Sequence, residues 1–81
     1  MRIDVRLGSG LSRIAGSPRL AVDVADDATV GEVLVRVAQE RPALAAGLPS
    51  ALTVVHGTQV GGEQVLAEGD EVAVLTPVAG G

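Results

Sequence analysis

The chain has no cysteine, no phenylalanine, tyrosine or tryptophan and no lysine, and only one histidine and one methionine in 81 residues. Without cysteine, neither a disulfide framework nor a thiolate metal site is available, so packing alone must hold the fold. Without aromatics, that packing must come from Val, Leu, Ile and Ala. The six cations are all arginine, at 2, 6, 13, 19, 36 and 41. They are scattered and lack an aromatic platform beside them, which argues against nucleic-acid binding. No apolar run approaches the ~20 residues of a membrane span. The opening "MRIDVRLGSG" lacks the continuous apolar stretch of a signal peptide, and the expectation is a cytoplasmic protein with no membrane contact. A net charge of −4 is compatible with a basic protein partner and equally with plain solubility.

What remains is rich in pattern. Residues 2–7, "RIDVRL", alternate strictly, with Ile3, Val5 and Leu7 on one side and Arg2, Asp4 and Arg6 on the other, the period of a half-buried strand. "GSGLSRIAGSP" reads as a loop with at most one helical turn over 11–15. "RLAVDV" (19–24) alternates again. Val30, Val33, Leu34, Val37 and Ala38 then recur at helical spacing. Thr29 stands as N-cap with Glu32 three residues on, a capping box, and Pro42 is the expected stop. The segment 41–50 is read as a linker. A third strand is expected at about 52–56, turning at His56-Gly57, then a short edge strand near Val60 or Val65. A Glu68-Gly69-Asp70 turn precedes a last strand at 71–76, whose continuously apolar Val72 to Leu75 suits cover on both faces. This order outlines an α+β, β-grasp domain over residues 1–81: a mixed sheet of four to five strands, first and last strands central, one main helix on one face.

The polar groupings give no catalyst. His56 sits in a turn without a second histidine or cysteine to share a metal. "GSG" (8–10) lacks the lysine and spacing of a phosphate loop. Asp23, Asp26 and Asp27 fit a strand end and a helix cap, and Glu68, Asp70 and Glu71 fit a turn; neither set has the spacing of a calcium loop. Ser50 with His56 would need a nucleophile elbow that is absent. The chain is expected to bind no metal or cofactor and to catalyse nothing alone.

The ending, "VAVLTPVAGG", is the remaining signal. Gly80-Gly81 is open to two readings, a loose terminus or a working part. Pro77 stiffens the exit from the last strand, and four residues beyond it (78–81) can reach ~13 Å. Two glycines can enter a channel too narrow for a Cβ. Their carboxylate is ionised at neutral pH and is already a nucleophile.

On these residues the sequence resembles the ubiquitin-like sulfur carriers of the MoaD/ThiS group, and is most similar to the small subunit of molybdopterin synthase. "GDEVAVLTPVAGG" (69–81) looks like the family's closing motif. "ATVGEVLVRVAQERPAL" (28–44) is similar to its helix, and "LSRIAG" (11–16) keeps its Leu and Ala-Gly. Three positions depart: Leu7-Gly8 replaces a common aromatic, His56-Gly57 an Asn-Gly turn, and Thr76 the usual first proline. The resemblance implies a carrier rather than an enzyme. An adenylating, ubiquitin-activating-like partner would use ATP to join the Gly81 carboxylate to AMP. A persulfide donor would then convert it to a thiocarboxylate, and an acceptor such as the molybdopterin synthase large subunit would take the sulfur. Gly81 is thereby the sulfur-bearing residue, Gly80 the thin residue behind it, and Val78 and Ala79 line the entry. Carriage for thiamine, cysteine or a secondary metabolite, attachment to lysines of other proteins, and a passive interaction module are the alternatives.

Overall fold

The computed structural model describes residues 1–76. The chain order is β1 (Arg2–Leu7), α1 (Ser9–Ala15), β2 (Arg19–Asp23), α2 (Val30–Glu40), a 3-10 turn (Pro42–Leu44), β3 (Leu52–Val55), β4 (Thr58–Val60) and β5 (Glu71–Leu75). The strands form one five-stranded sheet in the order β2-β1-β5-β3-β4. β1 and β5 run parallel, and the other neighbours run antiparallel. This is the expected β-grasp arrangement, with first and last strands adjacent and β5 central.

Alternation decides which side of the sheet is covered. Ile3, Val5 and Leu7 of β1, Val22 of β2, Val55 of β3 and Val72 and Val74 of β5 are buried against Val30, Val33 and Val37 of α2. Each buried aliphatic of this size contributes about 1.5–3 kcal/mol, and many small ones do the work of the missing rings. Thr53 is the one buried polar side chain among the described residues, and its Oγ1 donates to the Val60 carbonyl at 2.7 Å.

The N-terminus of α2 is closed by several devices at once. Thr29 Oγ1 accepts from the Glu32 amide and Glu32 Oε1 accepts from the Thr29 amide, both at 3.2 Å, the expected capping box. The amides of Val30 and Gly31 donate to the carbonyls of Gln64 and Gly62 at 2.9 and 2.8 Å. A Cβ on Gly31 would lie 3.2 Å from the Gly62 oxygen, so this clasp depends on a glycine. Helix amides that would otherwise be unpaired are thus satisfied within the protein. The helix ends at Glu40, one residue before Arg41, which has left the helical region at φ −133, ψ 77, because Pro42 follows.

Several boundaries differ from the sequence reading. The loop at 8–18 contains a seven-residue helix, α1, closed by Gly16 at φ 77. Leu11 on α1 is buried in the core, and that burial outweighs the weak helix propensity of its glycine and serines. Segment 41–50 is not a linker. Leu44 and Leu48 are buried in the same core, so this stretch closes one end of it. Strands β2, β3 and β5 end one residue early, and the edge strand is 58–60, with Val65 making only a single bridge to Thr29. Nor is β5 covered by a second layer. Among the described residues nothing stacks on its outer side. Ala73 is buried there because it is short and stands between Arg6 and Val54, its register partners on either side.

Candidate functional site

The sequence places the chemistry at Val78, Ala79, Gly80 and Gly81, which lie outside the described residues. What the structure describes is the base from which they depart. β5 ends at Leu75, between the end of β1 and the start of β3, where Leu75 is in register with Leu52. On the β1 side the Gly8 amide donates to the Val74 carbonyl at 2.9 Å. A Cβ on Gly8 would lie 3.3 Å from Leu75 Cδ2, and one on Gly10 would lie 3.2 Å from Thr76 Oγ1. The "GSG" stretch therefore has a packing explanation. Its glycines let the start of α1 lie close against the last residues of β5, and α1 is too short a helix to hold an anion at its end.

The open side of the sheet divides into two parts. Toward the exit it is apolar: Leu52, 41% exposed, with Leu75 opposite and Val54 beside Ala73. Toward the start of β5 it is charged. Arg19 Nη1 meets Glu71 Oε2 at 2.9 Å, with Arg6 at 3.9 Å from the other carboxylate oxygen. A shallow pocket of about 350 Å³ lies here, lined among others by Arg6, His56, Asp70 and Glu71.

His56 is a turn residue, as the sequence indicates. His56 and Gly57 have φ of 53 and 75, the pair of positive values that a two-residue type I′ hairpin requires. His56 Nε2 lies 3.0 Å from Asp70 Oδ1, while Asp70 Oδ2 accepts the Ala67 amide at 2.8 Å. Asp70 thus ties the β3–β4 turn to the turn before β5. Ser50 is not brought to His56; its hydroxyl reaches only the Gly47 carbonyl, at 3.4 Å. Two of the other acidic residues have partners: Asp26 meets the Met1 amine at 3.5 Å, and Glu68 accepts the Arg2 amide at 3.3 Å. Among the described residues no three His, Asp or Glu side chains converge as metal ligands.

The apolar patch beside the exit was missed in sequence. Its signal was present in the odd-numbered apolar residues of β5 and in Leu52, which stand out of phase with the core positions.

Comparison with known proteins agrees with this architecture. A model of the ThiS family matches residues 5–81. No curated protein matches. Among solved structures, SAMP1 from Haloferax volcanii is 30% identical, covers 100% of both chains and superposes with a TM-score of 0.92. A chain from the Amycolatopsis orientalis BexX/CysO complex is 24% identical over 98% of this chain and 99% of that one, with a TM-score of 0.77. A chain from the complex of subunits 1 and 2 of the Helicobacter pylori molybdopterin-converting factor is 21% identical over 100% of both, with a TM-score of 0.71. The last two show the fold alone. No helix among the described residues is long and apolar enough to cross a membrane. The match from within the first strand to the final glycine, joined to 30% identity over the full length of an archaeal relative, assigns the chain: it belongs to the ThiS family of ubiquitin-like sulfur carriers.

Proposed function

We propose that this protein works as a sulfur carrier, with the carboxylate of Gly81 as its reactive group. The observation that carries the reading is a Gly-Gly ending that follows within a few residues of the central strand of a ThiS-family β-grasp. An activating enzyme would use ATP to convert the carboxylate to an acyl-adenylate, turning a poor electrophile into a mixed anhydride. The terminal sulfur of a persulfide donor then displaces AMP to give an acyl disulfide. A second thiol on the partner enzymes cleaves its S–S bond, forming a disulfide with the donor cysteine and releasing a thiocarboxylate, a softer nucleophile than the carboxylate. No general base is needed on this chain, which is consistent with His56 being held by Asp70 in a turn. The tail's four terminal residues enter the partner's active site, and the apolar patch at Leu52 and Leu75 provides the surface on which that partner seats. The pathway favoured by the closing motif is molybdopterin synthesis, with the large synthase subunit as acceptor.

The test is to incubate the chain with ATP, a cognate activating enzyme and a sulfur source, then weigh it intact. An oxygen-to-sulfur mass increase confined to the C-terminal peptide is expected, and it should vanish when Gly81 is deleted. An unchanged mass across cognate enzymes would refute carriage. The 30% identity to SAMP1 favours a second reading, attachment of Gly81 to lysines of other proteins. This chain has no lysine of its own, so its adducts would be single rather than built into lysine-linked chains. Adducts on lysine in a cell extract, with no thiocarboxylate formed, would establish that reading instead.

A further inference from the structure

The sheet has two edges, and they are unlike. β4 is only three residues long, a poor template for another strand. β2 is five residues, "RLAVD", and its geometry is legible bond by bond. The Leu7 amide donates to the Pro18 carbonyl at 2.8 Å and the Val24 amide to the Met1 carbonyl at 2.9 Å. With the register Ile3↔Val22 and Val5↔Leu20, the main-chain groups of Leu20 and Val22 face β1. Those of Arg19, Ala21 and Asp23 therefore face outward. At Arg19 the Ser17 hydroxyl takes up part of this edge, accepting from the amide at 3.3 Å and donating to the carbonyl at 2.8 Å. Ala21 and Asp23 have no outward hydrogen bond among the described residues.

We infer that the β2 edge joins two copies of this chain in an antiparallel pair about a twofold axis at Ala21. The order of residues is its own complement. Turning the strand about Ala21 sets Arg19 opposite Asp23 of the second copy and Leu20 opposite Val22. Opposite charges facing each other across an antiparallel pair are stabilising, and like charges there are not. The two Ala21 residues exchange amide-to-carbonyl bonds at the centre. Flanking bonds form between Arg19 and Asp23 of opposite copies, and the long Arg19 amide contact with Ser17 gives way. A twofold contact of this kind closes on itself and does not propagate.

The helix side of the edge supports the same occupant. A groove of about 500 Å³ opens at the Asp23 end of this edge, lined by Asp23, Val24, Ala25, Glu32, Val35 and Arg36 among others, and Val35 is 59% exposed. Val35 on α2 thus shares this groove with the end of β2. On the open side Arg19 already holds Glu71 at 2.9 Å, and its guanidinium has donors to spare for a second carboxylate. β5 lies two strands away from β2, so the seam leaves the end of β5 clear, and a pair would present two independent tails.

The test is sedimentation velocity of the full chain at low salt, from about 10 μM to about 1 mM, the range in which a small interface registers. A reversible monomer–dimer equilibrium is expected. Ala21→Pro removes only an outward amide and is tolerated on an edge strand; it should weaken the dimer ~100-fold while thermal unfolding changes little. Arg19→Asp and Asp23→Arg should each weaken it ~10-fold, and the two together should restore it, which a merely structural effect of either would not do. A native chain that stays monomeric throughout, leaving the edge to water or to a strand of another protein, overturns the proposal. So does a charge-swapped double variant no stronger than the singles.

Discussion

The two sides of the central strand differ sharply. Val72 and Val74 point into the helix-covered core and are fully buried; Glu71 and Leu75 alternate with them and point outward, one into an ion-pair cluster and the other into an apolar patch. Residues one apart in the chain are therefore under unrelated demands. The inner set determines whether the protein folds. The outer set takes no part in the helix-covered core, which leaves much of it exposed to solvent. For the carrier proposed above this division would be useful: the body must be stable, and its open surface would be what a partner reads.

Substitutions on the two sides should separate accordingly. Ile3→Ala, at a position with no exposure, should lower unfolding stability by about 2–5 kcal/mol, measured by urea denaturation, while loading by an activating enzyme stays normal at temperatures where the variant is folded. A loss of loading without a loss of stability would break the comparison. Leu52→Asp should do the reverse. Thermal unfolding should change little, while kcat/KM for loading falls ~10-fold, equivalent to about 1.4 kcal/mol, because a carboxylate is placed on the surface proposed to seat the partner. Gly57→Ala places a Cβ on a residue at φ 75 and should cost about 1–2 kcal/mol with loading unchanged, since that turn is at the charged end of the sheet. His56→Ala should cost under about 1 kcal/mol by the same denaturation assay, because the pair with Asp70 is exposed on the histidine side.

The same division explains which features were legible in the sequence. Where one side of an element is buried, alternation or helical spacing reports it, and β1, β2 and α2 with its Thr29–Glu32 cap follow the pattern closely. Segment 41–50 hid its role because Pro42, Gly47 and Pro49 look like punctuation. Its signal was the spacing of Leu44 and Leu48, one helical turn apart and both buried. Helix α1 was foreshortened because Gly10 and two serines weaken local propensity, while Leu11 supplies its stability from a distance. The site was legible in a different way. Gly80-Gly81 could be proposed from the chain's last letters alone, since the proposed chemistry needs little but a carboxylate on a slender stem, and both residues lie outside the described structure. The patch that accompanies it could not, because an exposed leucine acquires meaning only when the register shows what stands opposite.

The parallel pairing of β1 with β5 has a mechanical consequence. Traction on the C-terminal segment would load β5 along its length, against neighbours hydrogen-bonded on both sides. Those ladders would have to yield together in shear, since β5 is not at an edge and cannot be unzipped one bond at a time. A machine that draws the tail into a narrow tunnel, or lets it go after reaction, can therefore tug on this protein without unravelling it.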